Sequence, residues 1–204
     1  MSGPAHVLPL IPPEWILAKQ KEIMAAAITT SGGTGTPAAS RLVRAELARM
    51  PMGALSIMRD NHTRVVACRN NVLDHLPSLA TAPPPKGWKA GDTWAVVPGV
   101  YDPNTNQVVI ATVGHGTAAG AHVPTLADNV HGSHNIVMHE SFHAVDLGHK
   151  GTPRSSSPDF VAARNADLAG LSAYEKQAGG VGRQETYAES AARYYGGDPT
   201  DAAQ

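Results

Sequence analysis

The sequence predicts an α+β fold, with helices before and after a small sheet. Three observations point there. Helical signals fill residues 12–50 and resume after Ser133, while short strand-like runs lie between them. At 204 residues and 42% hydrophobic, the chain can bury one sizeable core. Only 5% of residues are aromatic, so that core must be aliphatic, and 20 glycines with 16 prolines require many turns. Residues 1–50 are expected to form a helical segment packed on, or leading into, a second unit over 51–204.

The elements follow in order. Pro12, Pro13 and Glu14 open a helix over 12–29, because proline suits a first turn and glutamate suits the positive end of the dipole. Trp15, Ile16, Lys19, Ile23 and Ala26 give it a partial apolar stripe. After the SGGTGTP break, a second helix is expected over 38–50, closed by Pro51. The runs 54–59 and 64–69 flank Asp60-Asn61-His62-Thr63 and read as a hairpin. A short helical turn is expected over 73–79. The run 93–101 is strand-like but carries Pro98, which implies an edge, a start or a bulge. Residues 107–113 (QVVIATV) form the clearest strand, followed by a glycine-rich loop over 114–121. Further helices are expected from Ser133, over 158–171 and over 183–195.

Composition excludes several classes. Sixteen basic against 17 acidic residues leave a net charge of -1, so nothing favours a nucleic acid or an acidic membrane surface. Cys68 is the only cysteine, which rules out an internal disulfide scaffold; it reads as an inert small hydrophobe. Apolar runs such as 23–28 fall far short of the roughly 20 residues of a membrane span. No Sec signal peptide is visible at the N-terminus, so export by another route is the expectation if the protein is secreted.

Seven of the ten histidines crowd between His115 and His149. Two belong to His139-Glu140-Ser141-Phe142-His143, an HExxH motif. Histidines four apart on a helix share a face and can reach one metal ion. The glutamate beside the first then stands over the metal-bound water, as a general base that later returns the proton to the leaving amine. Zinc suits two neutral imidazoles plus a carboxylate in an open tetrahedron. Chance gives only about 0.02 such motifs in a chain of this composition.

The third ligand decides the class. His149 has the metzincin spacing, six residues after His143, but Asp146 replaces the turn glycine and no methionine follows Met138. Glu185 and Glu189 share a helix face, so one carboxylate would bind the metal while the other holds a ligating histidine. Glu185 is the favoured ligand and His149 the alternative.

The runs VPGVY at 97–101 and QVVIAT at 107–112 resemble the strand pair of the anthrax lethal factor-like metallopeptidases, a group that includes bacterial Pro-Pro endopeptidases. The segment 131–146 resembles their active-site helix, and Glu185 to Ser190 (ETYAES) their glutamate-ligand helix. The likeness covers about half the chain, roughly 87–197. It implies a zincin-type zinc metalloendopeptidase with a small mixed sheet and C-terminal helices. It also implies one zinc on His139, His143 and Glu185, with Glu140 as base, a protein or peptide substrate, and a secreted toxin or effector role. One departure is Phe142, where the family commonly has a small residue. The family also uses a tyrosine to hold the oxyanion. Tyr187 lies about 200° around the helix from Glu185 and should face away. Tyr174, reaching over through a Gly179–Gly182 loop, is therefore the expected donor.

The substrate is expected to pair along the edge strand near 97–101. His115, His122, His131 and His134 read as polar loop residues. Ser133 or His134 is expected near the helix start, with Ser133 as a cap. Asp146 would either orient a ligand or cap the following loop. The rival of another class is a degenerate zinc-binding module without turnover, which would have no need of Glu140.

Overall fold

A computed structural model describes residues 13–30, 33–83, 91, 93–112, 122–128, 132–148 and 151–197. The expected loop over 114–121, together with His115, His131 and His149, lies outside them. The fold is mixed α+β. Six helices are seen among the described residues: α1 (Pro13–Ile28), α2 (Pro37–Leu47), α3 (Met52–Asp60), α4 (Ile136–Leu147), α5 (Pro158–Ala166) and α6 (Gly179–Gly196). Four strands, β1 (Thr29–Thr30), β2 (Arg64–Cys68), β3 (Gly99–Asp102) and β4 (Gln107–Ala111), form one open sheet in the order β1-β2-β4-β3.

The expected hairpin over 54–69 does not form. Its first half is α3, because Ala54, Leu55 and Met58 bury one face at helical spacing rather than on alternate residues. Asn61 and His62, the latter with φ of 57°, end the helix, and Thr63 N–H donates to Met58 O at 2.8 Å. The chain then enters β2, which pairs in parallel with β1 and β4, while β3 pairs antiparallel with β4. Val65 to Cys68 and Val108 to Ala111 are buried throughout, which explains why both strands read as unbroken apolar runs. Alternate side chains point to opposite faces. Val65, Ala67, Val108 and Ile110 join the helices in the larger core. Val66, Cys68 and Val109 meet Val72, Leu76 and Val97 in a smaller one.

Only part of the run 93–101 is strand. Trp94–Val96 is a 3₁₀ turn, and β3 begins immediately after Pro98. The turn expected over 73–79 is two 3₁₀ pieces, Val72–Asp74 and Pro77–Thr81. Around the core, α1 and α2 supply Ala25, Ile28, Ala39, Val43 and Leu47 to the cluster that also holds α4 and α6 residues. The stripe expected on α1 does not face inward. Trp15 and Ile23 are 56% and 60% exposed, and α1 packs through Ala25 and Ile28. Thr36 caps α2 by accepting from Ala39 N–H, with Pro37 at the first position.

Helix α4 carries the motif and is the most enclosed element, with only His143 and Leu147 not fully buried. Asn135, not Ser133 or His134, caps it by accepting from Met138 N–H at 3.1 Å. Ser133 Oγ sits one step back, accepting from Asn135 N–H. Helix α5 stops at Ala166, earlier than expected, and a 3₁₀ turn (Leu168–Gly170) follows. Gly179 to Gly182 are not a loop but the first turn of α6. A Cβ at Gly182 would lie 1.8 Å from Gln177 O, so any side chain there would push the turn out of its present place.

Candidate metal centre

Helices α4 and α6 pack side by side, so His139 and His143 on one face of α4 meet Glu185 on α6. Three donor atoms converge. His139 Nε2 and His143 Nε2 are 3.1 Å apart, and Glu185 Oε2 lies 3.2 Å from the first and 3.4 Å from the second. Metal bonds of about 2.0 Å at tetrahedral angles place their donors about 3.3 Å apart, so the three atoms match one face of such a tetrahedron. Glu185 Oε2 is buried and makes no well-aligned hydrogen bond among the described residues; its close polar neighbours are the two imidazole nitrogens. His139, His143 and Glu185 could therefore hold a metal ion.

The second carboxylate of the pair, Glu189, braces the first histidine. His139 Nδ1 is 3.0 Å from Glu189 Oε2. An ionised carboxylate only accepts, so Nδ1 carries a proton, and Nε2 is the nitrogen that faces Glu185 and His143 and would meet a metal once its own proton is lost. Glu189 Oε1 also accepts from His134 N–H at 3.0 Å and lies 2.6 Å from His134 Nδ1. His134, expected to be a polar loop residue, thus ties the segment before α4 to α6.

Electrostatics follow from this crowding. Burial opposes a charge on His139, but Glu185 and Glu189 outweigh it and raise its pKa to about 10. Burial likewise pushes the Glu185 carboxyl up. His139 and His143 outweigh that, so it lies well below the usual carboxylate range. Glu189 is lowered to about 2 against its own burial, chiefly by its hydrogen bond to His139. Glu140 differs: burial dominates and raises it. Its Oε2 accepts from Tyr101 N–H on β3 at 2.8 Å.

His139, Glu140, His143 and Glu185 line a cleft of about 220 Å³ between β3, α4 and α6, whose walls include Trp94, Val100, Tyr101, Leu147, Tyr174 and Gln184. Tyr174 thus stands at the cleft. Tyr187 does not: its ring packs on Phe142 at 6.0 Å and Phe160 at 5.4 Å. Phe142 fills the space behind α4 and stacks on Tyr195. Asp146 caps the following turn, accepting from Ser155 N–H at 2.8 Å and Ser155 Oγ–H at 2.6 Å.

The Tyr101 amide and His134 escape sequence reasoning. One is a main-chain group and the other acts across 55 residues, so neither leaves a local pattern.

No protein-family model matches the chain, and no curated protein matches its sequence. Among solved structures, the Pro-Pro endopeptidase from Paenibacillus alvei is similar, with a TM-score of 0.66 and 18% identity over 88% of this chain and 90% of that one. At that identity the likeness is one of fold. No helix among the described residues is long and apolar enough to cross a membrane.

Proposed function

We propose that this chain is a zinc-dependent metalloendopeptidase of the zincin class, allied to the lethal factor-like and Pro-Pro endopeptidases. The observation that carries the reading is the convergence of His139, His143 and Glu185 beside a buried Glu140. A resident zinc would supply Lewis-acid polarisation of the scissile carbonyl and of water. Glu140 takes the proton from the attacking water and hands it to the departing amine. Its burial favours the neutral acid, which brings its proton affinity closer to working pH. Tyr174, at the cleft wall, donates a hydrogen bond from its hydroxyl to the oxyanion and keeps its proton. Strand β3 lies at the end of the sheet order beside the cleft, so an extended peptide has an edge on which to align. The substrate is a protein or peptide, and delivery outside the producing cell as a toxin or effector fits the same reading.

The test is cleavage of a randomised peptide library by the zinc-loaded chain and by Glu140→Ala. The expected outcome is defined products from the wild type and at least about a hundredfold loss in the variant, with its zinc retained. Equal zinc with no cleavage by the wild type would instead identify a binding module.

A further inference from the structure

We propose that the Tyr101 main-chain N–H positions the Glu140 carboxylate, and that residue 99 must be glycine for this contact to form. The inference rests on the reading of Glu140 as the base. Ala111 N–H donates to Pro98 O at 2.7 Å, and Val100 and Asp102 register with Val109 and Gln107. Residues 98, 100 and 102 therefore turn their main-chain groups toward β4, and Gly99 and Tyr101 turn theirs outward. The outward amide of Tyr101 meets a side chain rising from α4, Glu140 Oε2 at 2.8 Å.

Such a contact needs β3 to lie unusually close to α4. Gly99 provides the closeness. A Cβ there would sit 2.6 Å from Ile136 Cγ1, 3.1 Å from Glu140 Cγ and 3.3 Å from Ile110 Cδ1. Ile136 and Ile110 are fully buried and have no room to yield. Any side chain at 99 lifts β3 from α4 and carries the Tyr101 amide away from Glu140. A carboxylate on three rotatable bonds has several places to point, and one charge-assisted hydrogen bond from rigid main chain selects one. The same contact uses up one outward donor of the edge. A docked peptide then pairs with Gly99 and the Tyr101 carbonyl, and the Tyr101 N–H serves the chemical step rather than binding.

Two variants of one residue separate the amide from the side chain. Tyr101→Ala keeps the N–H and Tyr101→Pro removes it, at an outward edge position where proline is tolerated. The expected result is a kcat for Tyr101→Pro about tenfold or more below that of Tyr101→Ala, with KM and zinc content alike. Equal kcat values, or a rise in KM at unchanged kcat, would overturn the proposal; the second result would assign the amide to substrate. Should Tyr101→Pro fail to fold, Gly99→Ala paired with Ile136→Ala replaces it. That pair removes the tightest contact, the one with Ile136, and leaves the milder ones with Glu140 Cγ and Ile110 Cδ1, so kcat stays low if the proposal holds and recovers if Gly99 serves packing against Ile136 alone. Hydrogen exchange of the Tyr101 amide gives a readout independent of turnover. It should be slow in the wild type and about tenfold or more faster in Glu140→Ala. Unchanged exchange would overturn the contact itself, whereas a wild type that cleaves nothing would sink only the peptidase reading.

Discussion

The proton on His139 competes directly with any metal. Without metal, Glu185 and Glu189 outweigh burial and hold the imidazole protonated up to about pH 10. A metal needs the Nε2 lone pair while Nδ1–H stays on Glu189, so binding expels a proton. Glu185 is already ionised throughout the neutral range and contributes none. Zinc affinity should therefore weaken as pH falls from about 8 to 6, by about tenfold per pH unit for each proton displaced. Competition titration with a chelator of known affinity reads this directly, and a flat profile would contradict the assignment. At this scale the sequence was informative where spacing is local. His139, Glu140 and His143 sit within one helical turn, and Glu185 with Glu189 within another. The bond between His134 and Glu189 spans two elements brought together only by packing, and nothing along the chain announces it.

Among the elements, the long periodic ones were legible and the short apolar runs were not. Residues 54–59 carry both strand-like and helix-like apolar patterns, and tertiary burial of Ala54, Leu55 and Met58 decides for helix. The Gly179–Gly182 stretch misled in the opposite sense. Its glycines suggest a loop, yet they let α6 start against the Gln177 carbonyl. Arg164 reinforces that joint, donating to Glu175 O at 2.6 Å and to Thr186 Oγ1 at 2.9 Å. Since α6 carries Glu185 and Glu189, its start sets the depth of both carboxylates. Gly182→Ala should cost about 1–3 kcal/mol in denaturant unfolding through forced backbone displacement, with weaker zinc binding alongside. On α1, the exposed Trp15 and Ile23 show that an apolar stripe need not mark the packed face; the small Ala25 and the terminal Ile28 make that contact instead.

For the whole molecule, an α+β arrangement was readable from the order of helical and strand-like segments, but the sheet order was not. Parallel pairing of β2 with β4 joins residues more than forty apart, and only the buried character of both runs hints at it. The fold places α4 between the sheet and α6, so the candidate metal centre bridges two elements that contact each other extensively. Metal bound there stabilises the folded chain over the unfolded one. At a hundredfold excess of free zinc over Kd this amounts to about 2.7 kcal/mol, or a rise in Tm of about 5–10 °C for a chain of this size. Calorimetry with and without a chelator measures it, and an unchanged Tm would argue against a metal bridging α4 and α6. The most direct test of the central claim is zinc stoichiometry and affinity in the wild type and in Glu185→Ala, after confirming by circular dichroism that both are folded. The account predicts about one zinc per wild-type chain and its loss in Glu185→Ala, because the variant leaves only two of the three protein donors of the site. A folded wild type without zinc affinity, or a Glu185→Ala variant that binds zinc as tightly, would contradict it.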